Sequence, residues 1–280
     1  MKREPDYSHN NKLVASNRYI RAIHPEKMSL NAMKLFRLTI TQCRMTDEHF
    51  YEYQFKVKDL AKEFQIDEKD MCRDIRTMCM YLMQMLLRIG SENPIDDWEF
   101  KHIFEKAKYD KKTGTVTLQL HRDMTELFLQ LKTNFTRIPI VNILSMKSKY
   151  AIRIYELICE KMRGHYPYAD EVTEMDLSLE EIKAYIGINK KKTYDKISNL
   201  KNVILRPALR EIEEVAAWKV IAEDIKTGRS ITGFHLTVWS EYGYRHHKKL
   251  EEIGEATEPV ISDSKFVQMN WYDYLPSDIT

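Results

Sequence analysis

Apolar positions along this chain follow a helical period in some stretches and alternate with polar ones in others, and the order of these patterns occurs twice. The first series runs from an amphipathic stretch, Ser29 to Arg44, through Phe55 to Ile66, into a long helical stretch from Asp67 and then a hairpin turning at Lys112-Thr113-Gly114. The second opens with a helix from Lys147 to Arg163 and passes through Met175 to Ile188 to a helix from Thr193. It ends in a hairpin turning at Lys226-Thr227-Gly228. Helix, short strand, helix, turn, helix and β-hairpin is the order of a winged helix, a helix-turn-helix that carries a β wing. The pattern predicts an α+β, helix-rich chain with two tandem winged-helix domains, an arrangement suited to gripping two successive stretches of duplex.

Within each series the helix expected to read the duplex has two distinct faces. Stepped at 100° per residue, Met71, Ile75, Met78, Cys79, Leu82 and Leu86 share one side, and Lys69, Arg73, Arg76 and Thr77 lie opposite. That opposite side is either a reading face for the major groove or the charged outer face of any soluble helix. Met80, Tyr81 and Met83 make the second half of this helix apolar nearly all round, which predicts cover by the wing strands or by a second copy of the chain. In the second series Ser178 and Glu181 have the spacing of a capping box, and Gly187 suits the left-handed turn that follows. Ile197, Leu200, Val203 and Ile204 form the expected buried side of the next helix. Tyr194, Asp195, Ser198, Asn199, Lys201, Asn202 and Arg206 form the outward side. A solvated face usually alternates Glu and Lys, whereas this one is rich in groups that bond base edges. Lys190, Lys191 and Lys192 stand at its entrance, where clustered ammonium groups neutralise phosphates.

The wings are read from alternation over Trp98 to Phe104 and Thr115 to His121, with Lys108, Lys111 and Lys112 at the first tip. Trp218 to Ala222 and Ile231 to Trp239 alternate likewise, with Lys226 and Arg229 at the second. Basic tips suit a phosphate backbone or a minor groove, and lysine there also keeps a hairpin soluble and unpaired.

Composition adds limits. At 280 residues with 43% hydrophobic content the chain is large enough for two cores. The net charge of +2 is too small to imply nucleic acid, but its distribution is not. Lys132 to Arg153 contains no Asp or Glu, Lys190 to Arg206 has six basic residues against Asp195 alone, and the acidic stretch from Glu251 restores the balance. Cys43, Cys72, Cys79 and Cys159 are scattered without a zinc-binding spacing and read as reduced core residues, which fits a cytoplasmic protein. No apolar run is long enough for a membrane span, and the N-terminus lacks the apolar region of a signal peptide. There is no phosphate-binding glycine loop, no metal-ligand pattern and no cage around a tyrosine nucleophile, so neither an enzyme nor a cofactor is expected. His246 and His247 read as a polar spacer beyond the last strand.

Met146 to Ile158, Tyr194 to Glu211 and the Lys226 to Ile231 hairpin resemble the replication initiators of theta-replicating, iteron-containing bacterial plasmids. Val14 to Asn17, Phe135 to Arg137 and Pro207 to Ile212 agree with this, and the resemblance spans Asn11 to Ser240. It implies tandem winged helices that bind direct repeats at an origin as a monomer and repress their own gene as a dimer. It also implies help from host initiation proteins, and the host partners expected are an initiator, the helicase or its loader, and the sliding clamp. By the same resemblance residues 1–132 form a winged helix for dimerisation and accessory DNA contacts, and residues 133–240 form the principal reader. Residues 241–280 are expected to be an acidic tail. Its segment Gln268 to Tyr272 resembles a clamp-docking peptide, or else its aromatic residues fold back on a domain. A transcriptional regulator without a replication role and a winged-helix interaction scaffold are the alternatives.

Overall fold

The structure is a computed structural model that describes residues 2–8, 11–22, 28–44, 46–90, 97–163, 166, 171–189, 191–253 and 260–261. A short strand β1 (Lys2–Arg3), a strand β2 (Lys12–Ser16) and one helical turn α1 (Asn17–Ile20) come first. Ser29 then accepts the Ala32 N–H at 3.2 Å and starts α2 (Leu30–Thr41). β3 (Glu52–Lys56) and α3 (Val57–Phe64) follow. Gln65, at φ 55, ends α3, and Asp67 caps α4 (Glu68–Gln84) by accepting from the Lys69 N–H at 2.8 Å. β4 (Leu86–Gly90) and β5 (Trp98–His102) pair with each other, and β6 (Phe104–Asp110) and β7 (Thr115–Leu120) form the wing.

Two expectations change here. The alternation over Trp98 to Phe104 belongs to a separate hairpin, and the ascending wing strand begins only at Phe104. Leu86 leaves the buried side of α4, because the helix stops at Gln84 and Met85 is already extended. Leu86 is exposed on β4.

A turn α5 (Thr125–Phe128), a strand β8 (Phe135–Pro139) and a helix α6 (Ile140–Ser145) lead to the second winged helix. Ser148 caps α7 (Lys149–Lys161), and β9 (Glu171–Ser178) and α8 (Leu179–Ile186) follow. Ser178 Oγ accepts from the Glu181 N–H at 3.0 Å, as its spacing predicts, and Gly187 takes φ 73. The helix expected from Thr193 starts later. Lys192–Tyr194 is a 3₁₀ turn, and helical structure resumes with α9 (Ile197–Asn199), a π-helical turn Leu200–Leu205 and α10 (Arg206–Ala216). β10 (Trp218–Thr227) and β11 (Ser230–Ser240) close the unit, with Gly228 at φ +62 in their tight turn and Gly114 at φ +61 in the first wing.

Strand order repeats with the sequence pattern: β3-β7-β6 in the first sheet and β9-β11-β10 in the second. Both units are winged helices. The stretch from Glu241 opens as a helix, α11 (Glu241–Ile253), and β12 (Val260–Ile261) joins the sheet beside β9. His246 and His247 are therefore more than a spacer: His247 lies 4.9 Å from the Trp239 ring and His246 stacks on Tyr242. Gln268 to Tyr272 lies outside the described residues.

The two units share one continuous apolar core. β2 pairs antiparallel with β8, so a strand before the first winged helix is held by one that follows it. Deeper in, α2 and α7 are joined by three charged side chains that are almost wholly buried. Arg37 donates to both oxygens of Glu156 at 2.9 and 3.1 Å, and Arg153 donates to Glu156 at 2.8 Å. Arg153 also donates to the carbonyls of Ile20, Ala22 and Tyr185. These bonds tie α2, α7, the end of α8 and the segment closing α1 to one another. Burial alone would raise the Glu156 carboxyl, but the two guanidinium groups hold it below its ordinary range. Lys34 Nζ, on α2, donates to the Leu144 carbonyl at the end of α6.

Candidate nucleic-acid interface

The last helix of the second helix-turn-helix, expected to be the reading helix, owes its exposed face to the π turn. With regular α spacing, Val203 and Ile204 would both sit above Leu200 and face the core. Here the Arg206 N–H donates to Lys201 O, five residues back, and the wider turn brings Leu205 inward and turns Val203 out. Leu200, Ile204 and Leu205 are buried, and Val203 is 60% exposed, opposite to its expected side. Burying leucine in place of valine hides about one more methylene, on the order of 0.8 kcal/mol, which helps offset the lost α-helical regularity.

The outward side then carries Ser198, Asn202, Val203, Arg206 and Arg210. Asn202 Oδ1 accepts from Arg206 Nη1 at 2.9 Å, which holds the guanidinium fork in one orientation before any ligand arrives. Other expected members are placed differently. Lys201 is half-buried, bonded to both oxygens of Asp224 on β10 at 2.7 and 2.9 Å and resting 5.7 Å from the Phe234 ring. It fastens the reading helix to the wing rather than pointing outward. Asn199 is also half-buried and donates to the Thr193 carbonyl at 3.0 Å, fixing the turn ahead of the helix. Tyr194 packs on the core from that turn, and exposed Asp195 pairs with Lys183 at 3.2 Å. Lys191 is half-buried and Lys192 exposed at the entrance, and Lys190 lies outside the described residues. Lys226 and Arg229 are exposed at the wing tip. Arg210 was missed by the sequence reading. Its spacing, four residues beyond Arg206 on the same face, was the signal.

In the first unit Met71, Ile75, Met78 and Leu82 are buried as expected, and Lys69, Arg73, Arg76 and Thr77 are exposed. Arg73, however, lies between Asp70 at 2.8 Å and Asp74 at 3.0 Å, and its hydrogen bond to Asp74 raises its pKa. Two carboxylates beside this guanidinium weaken its attraction for a phosphate or guanine. Lys111 and Lys112 are exposed at the first wing tip.

Charge also excludes one surface. The outer face of the second sheet carries Glu174, Asp176 and Glu223 around His235, whose Nδ1 is 2.7 Å from Asp176. That hydrogen bond and the neighbouring carboxylates raise the imidazole pKa. A phosphate backbone is repelled there. Among the described residues no cluster of His, Cys, Asp and Glu fits a metal ion, and no helix is long and apolar enough to cross a membrane. The cysteines are all free, but Cys72 is exposed on α4 instead of buried.

Comparison with known proteins agrees with this geometry. Residues 12–159 match the family model described as Initiator Replication protein, WH1, and residues 178–238 match that described as Initiator Rep protein, WH2. Among solved structures the chain is similar to the crystal structure of Pi initiator protein in complex with iteron DNA. The TM-score is 0.67 at 16% identity, over 82% of this chain and 98% of that one, a likeness of fold. Domains 2 and 3 of RctB, solved as SeMet derivatives, align at a TM-score of 0.45 and 10% identity, over 76% of this chain and 81% of that one. No curated protein sequence matches it.

Proposed function

This chain belongs to the initiator replication protein family, with its WH1 and WH2 units in tandem, and we propose that it initiates plasmid replication by binding direct repeats at an origin. The observation that carries this reading is the exposed side of the second reading helix. There Ser198, Asn202 and Arg206 offer base-edge chemistry, and Asn202 orients Arg206. Lys192, Lys226 and Arg229 flank that side and supply phosphate contacts. Lys191 and Lys190 belong with them by sequence position. The Pi initiator, whose fold is similar, is bound to iteron DNA in its crystal. In this reading residues 133–240 are the principal reader. Residues 1–132 add contacts through Lys69, Arg76, Lys111 and Lys112, with Arg73 the weakest of that set. Host initiator, helicase or loader, and sliding clamp are the partners, and residues 241–280 are outside the reader.

Two tandem reading heads on one duplex would sample successive helical turns, so the repeats should span about two turns of roughly 10.5 bp each. A plasmid that lacks this gene is expected to replicate again when the gene is supplied in trans. Binding to the repeats without restored replication would leave a transcriptional regulator.

Autorepression as a dimer is the second half of the proposal. On the β4-β5 hairpin, Leu86, Phe100 and Trp98 fall on one face by register, and all three are exposed. Met80 and Tyr81 are exposed near the end of α4, just before it. Five large apolar side chains in this region suit burial against a second copy. In sedimentation equilibrium the full chain should show a concentration-dependent dimer, and Trp98→Ser with Phe100→Ser should shift it to monomer. A wild-type chain that stays monomeric, or a double variant that still dimerises equally, removes the hairpin as the dimer surface.

A further inference from the structure

We propose that Val203 reads the 5-methyl group of a thymine, and so sets part of the sequence preference of the second unit; the proposal rests on the DNA-reading function above. The π turn places Val203 outward, on the flank of the surface formed by Ser198, Asn202, Arg206 and Arg210. Asn202 and Arg206 beside it are polar, and Pro207, one turn on, is its exposed apolar neighbour. A protein partner docks on a contiguous apolar patch, and one valine and one proline among Asn, Ser and Arg are not such a patch. A helix lying in the major groove meets an isolated apolar group on only one base, the C5-methyl of thymine. Valine is also a poorer helix former than the lysine, glutamate or alanine usual at exposed helical positions, so helix formation does not account for it.

The π turn is what makes this residue available. A regular α-helix would bury Val203 and present Leu205, a longer side chain two positions closer to Pro207. The local irregularity therefore selects which apolar group stands beside Asn202.

The test starts from the full chain and a duplex selected by it from random sequence. Each thymine of that site is replaced in turn by uracil, which removes only the methyl group, and affinity is measured by fluorescence anisotropy at fixed salt. The wild-type chain should lose about fourfold at one thymine, the worth of burying one methyl-sized group. Val203→Ala should bind the unmodified duplex about fourfold more weakly and be indifferent to uracil at that same position, with an unchanged melting temperature. A wild-type chain indifferent to every replacement, or a Val203→Ala chain with the wild-type pattern of losses, overturns the methyl reading alone. A wild-type chain that selects no preferred sequence overturns the DNA-reading function and this inference together.

Discussion

Glu156→Ala is expected to destabilise the folded chain by about 3–5 kcal/mol, because it leaves Arg37 and Arg153 buried without their counter-charge. That is a large share of the roughly 5–15 kcal/mol that holds a typical domain together. Equilibrium unfolding in urea measures it directly. Glu156→Gln should fall between the two, since it keeps hydrogen-bond acceptors and loses the charge. Replacing all three residues together by Met, Leu and Met should recover most of the loss, because an apolar cluster of similar volume has no desolvation cost. A single-variant loss below about 1 kcal/mol would falsify the view that the triad is locked in the core. The acid limb has a definite sign. The native carboxyl is held below its unfolded value, so its contribution is fully present above about pH 4.3 and is lost as the pH falls further through the native value.

Arg206→Ala is expected to cost about 1–3 kcal/mol of discrimination, or roughly 5- to 150-fold in the ratio of specific to random binding. Asn202→Ala should cost a similar amount, and the double variant less than the sum, because Asn202 acts partly by orienting Arg206. Lys192→Ala acts on phosphate alone, so it should weaken both kinds of duplex alike and lower the salt slope by about one unit. Competition binding at several salt concentrations separates these outcomes. Equal losses on specific and random DNA for Arg206→Ala would move base reading elsewhere on the protein.

The duplicated plan was legible because its punctuation is local. Ser178, Gly187, Gly114 and Gly228 each do at their own position what their residue type dictates. Helix faces were legible only while the helix stayed regular. Leu200 and Ile204 came out buried, but the exchange of Val203 for Leu205 depends on a π turn that no periodicity at 100° can reveal. The β4-β5 hairpin was hidden for a related reason. Met78 to Leu87 is apolar apart from Gln84, so its hydrophobic pattern does not switch period where α4 ends and a strand begins. Lys201 and Arg73 were assigned to the reading faces by angle alone, and the carboxylates that hold them come partly from elements distant in sequence. The triad was the hardest to see, since charged residues in amphipathic helices are normally read as solvent-facing. Only the position of Arg37, four residues after Met33 and three before Ile40 on the buried side, hinted otherwise.

The link between Arg37 and Glu156 also sets a schedule for synthesis. The two residues are 119 positions apart, which at about 5–20 residues per second is roughly 6–24 s on the ribosome. Throughout that interval Arg37 must keep its water, because its counter-charge does not yet exist. β2 likewise waits for β8. The first winged helix thus cannot reach its final packing until the nascent chain has passed Glu156, and a message truncated before residue 156 yields a chain whose first half is also unfinished.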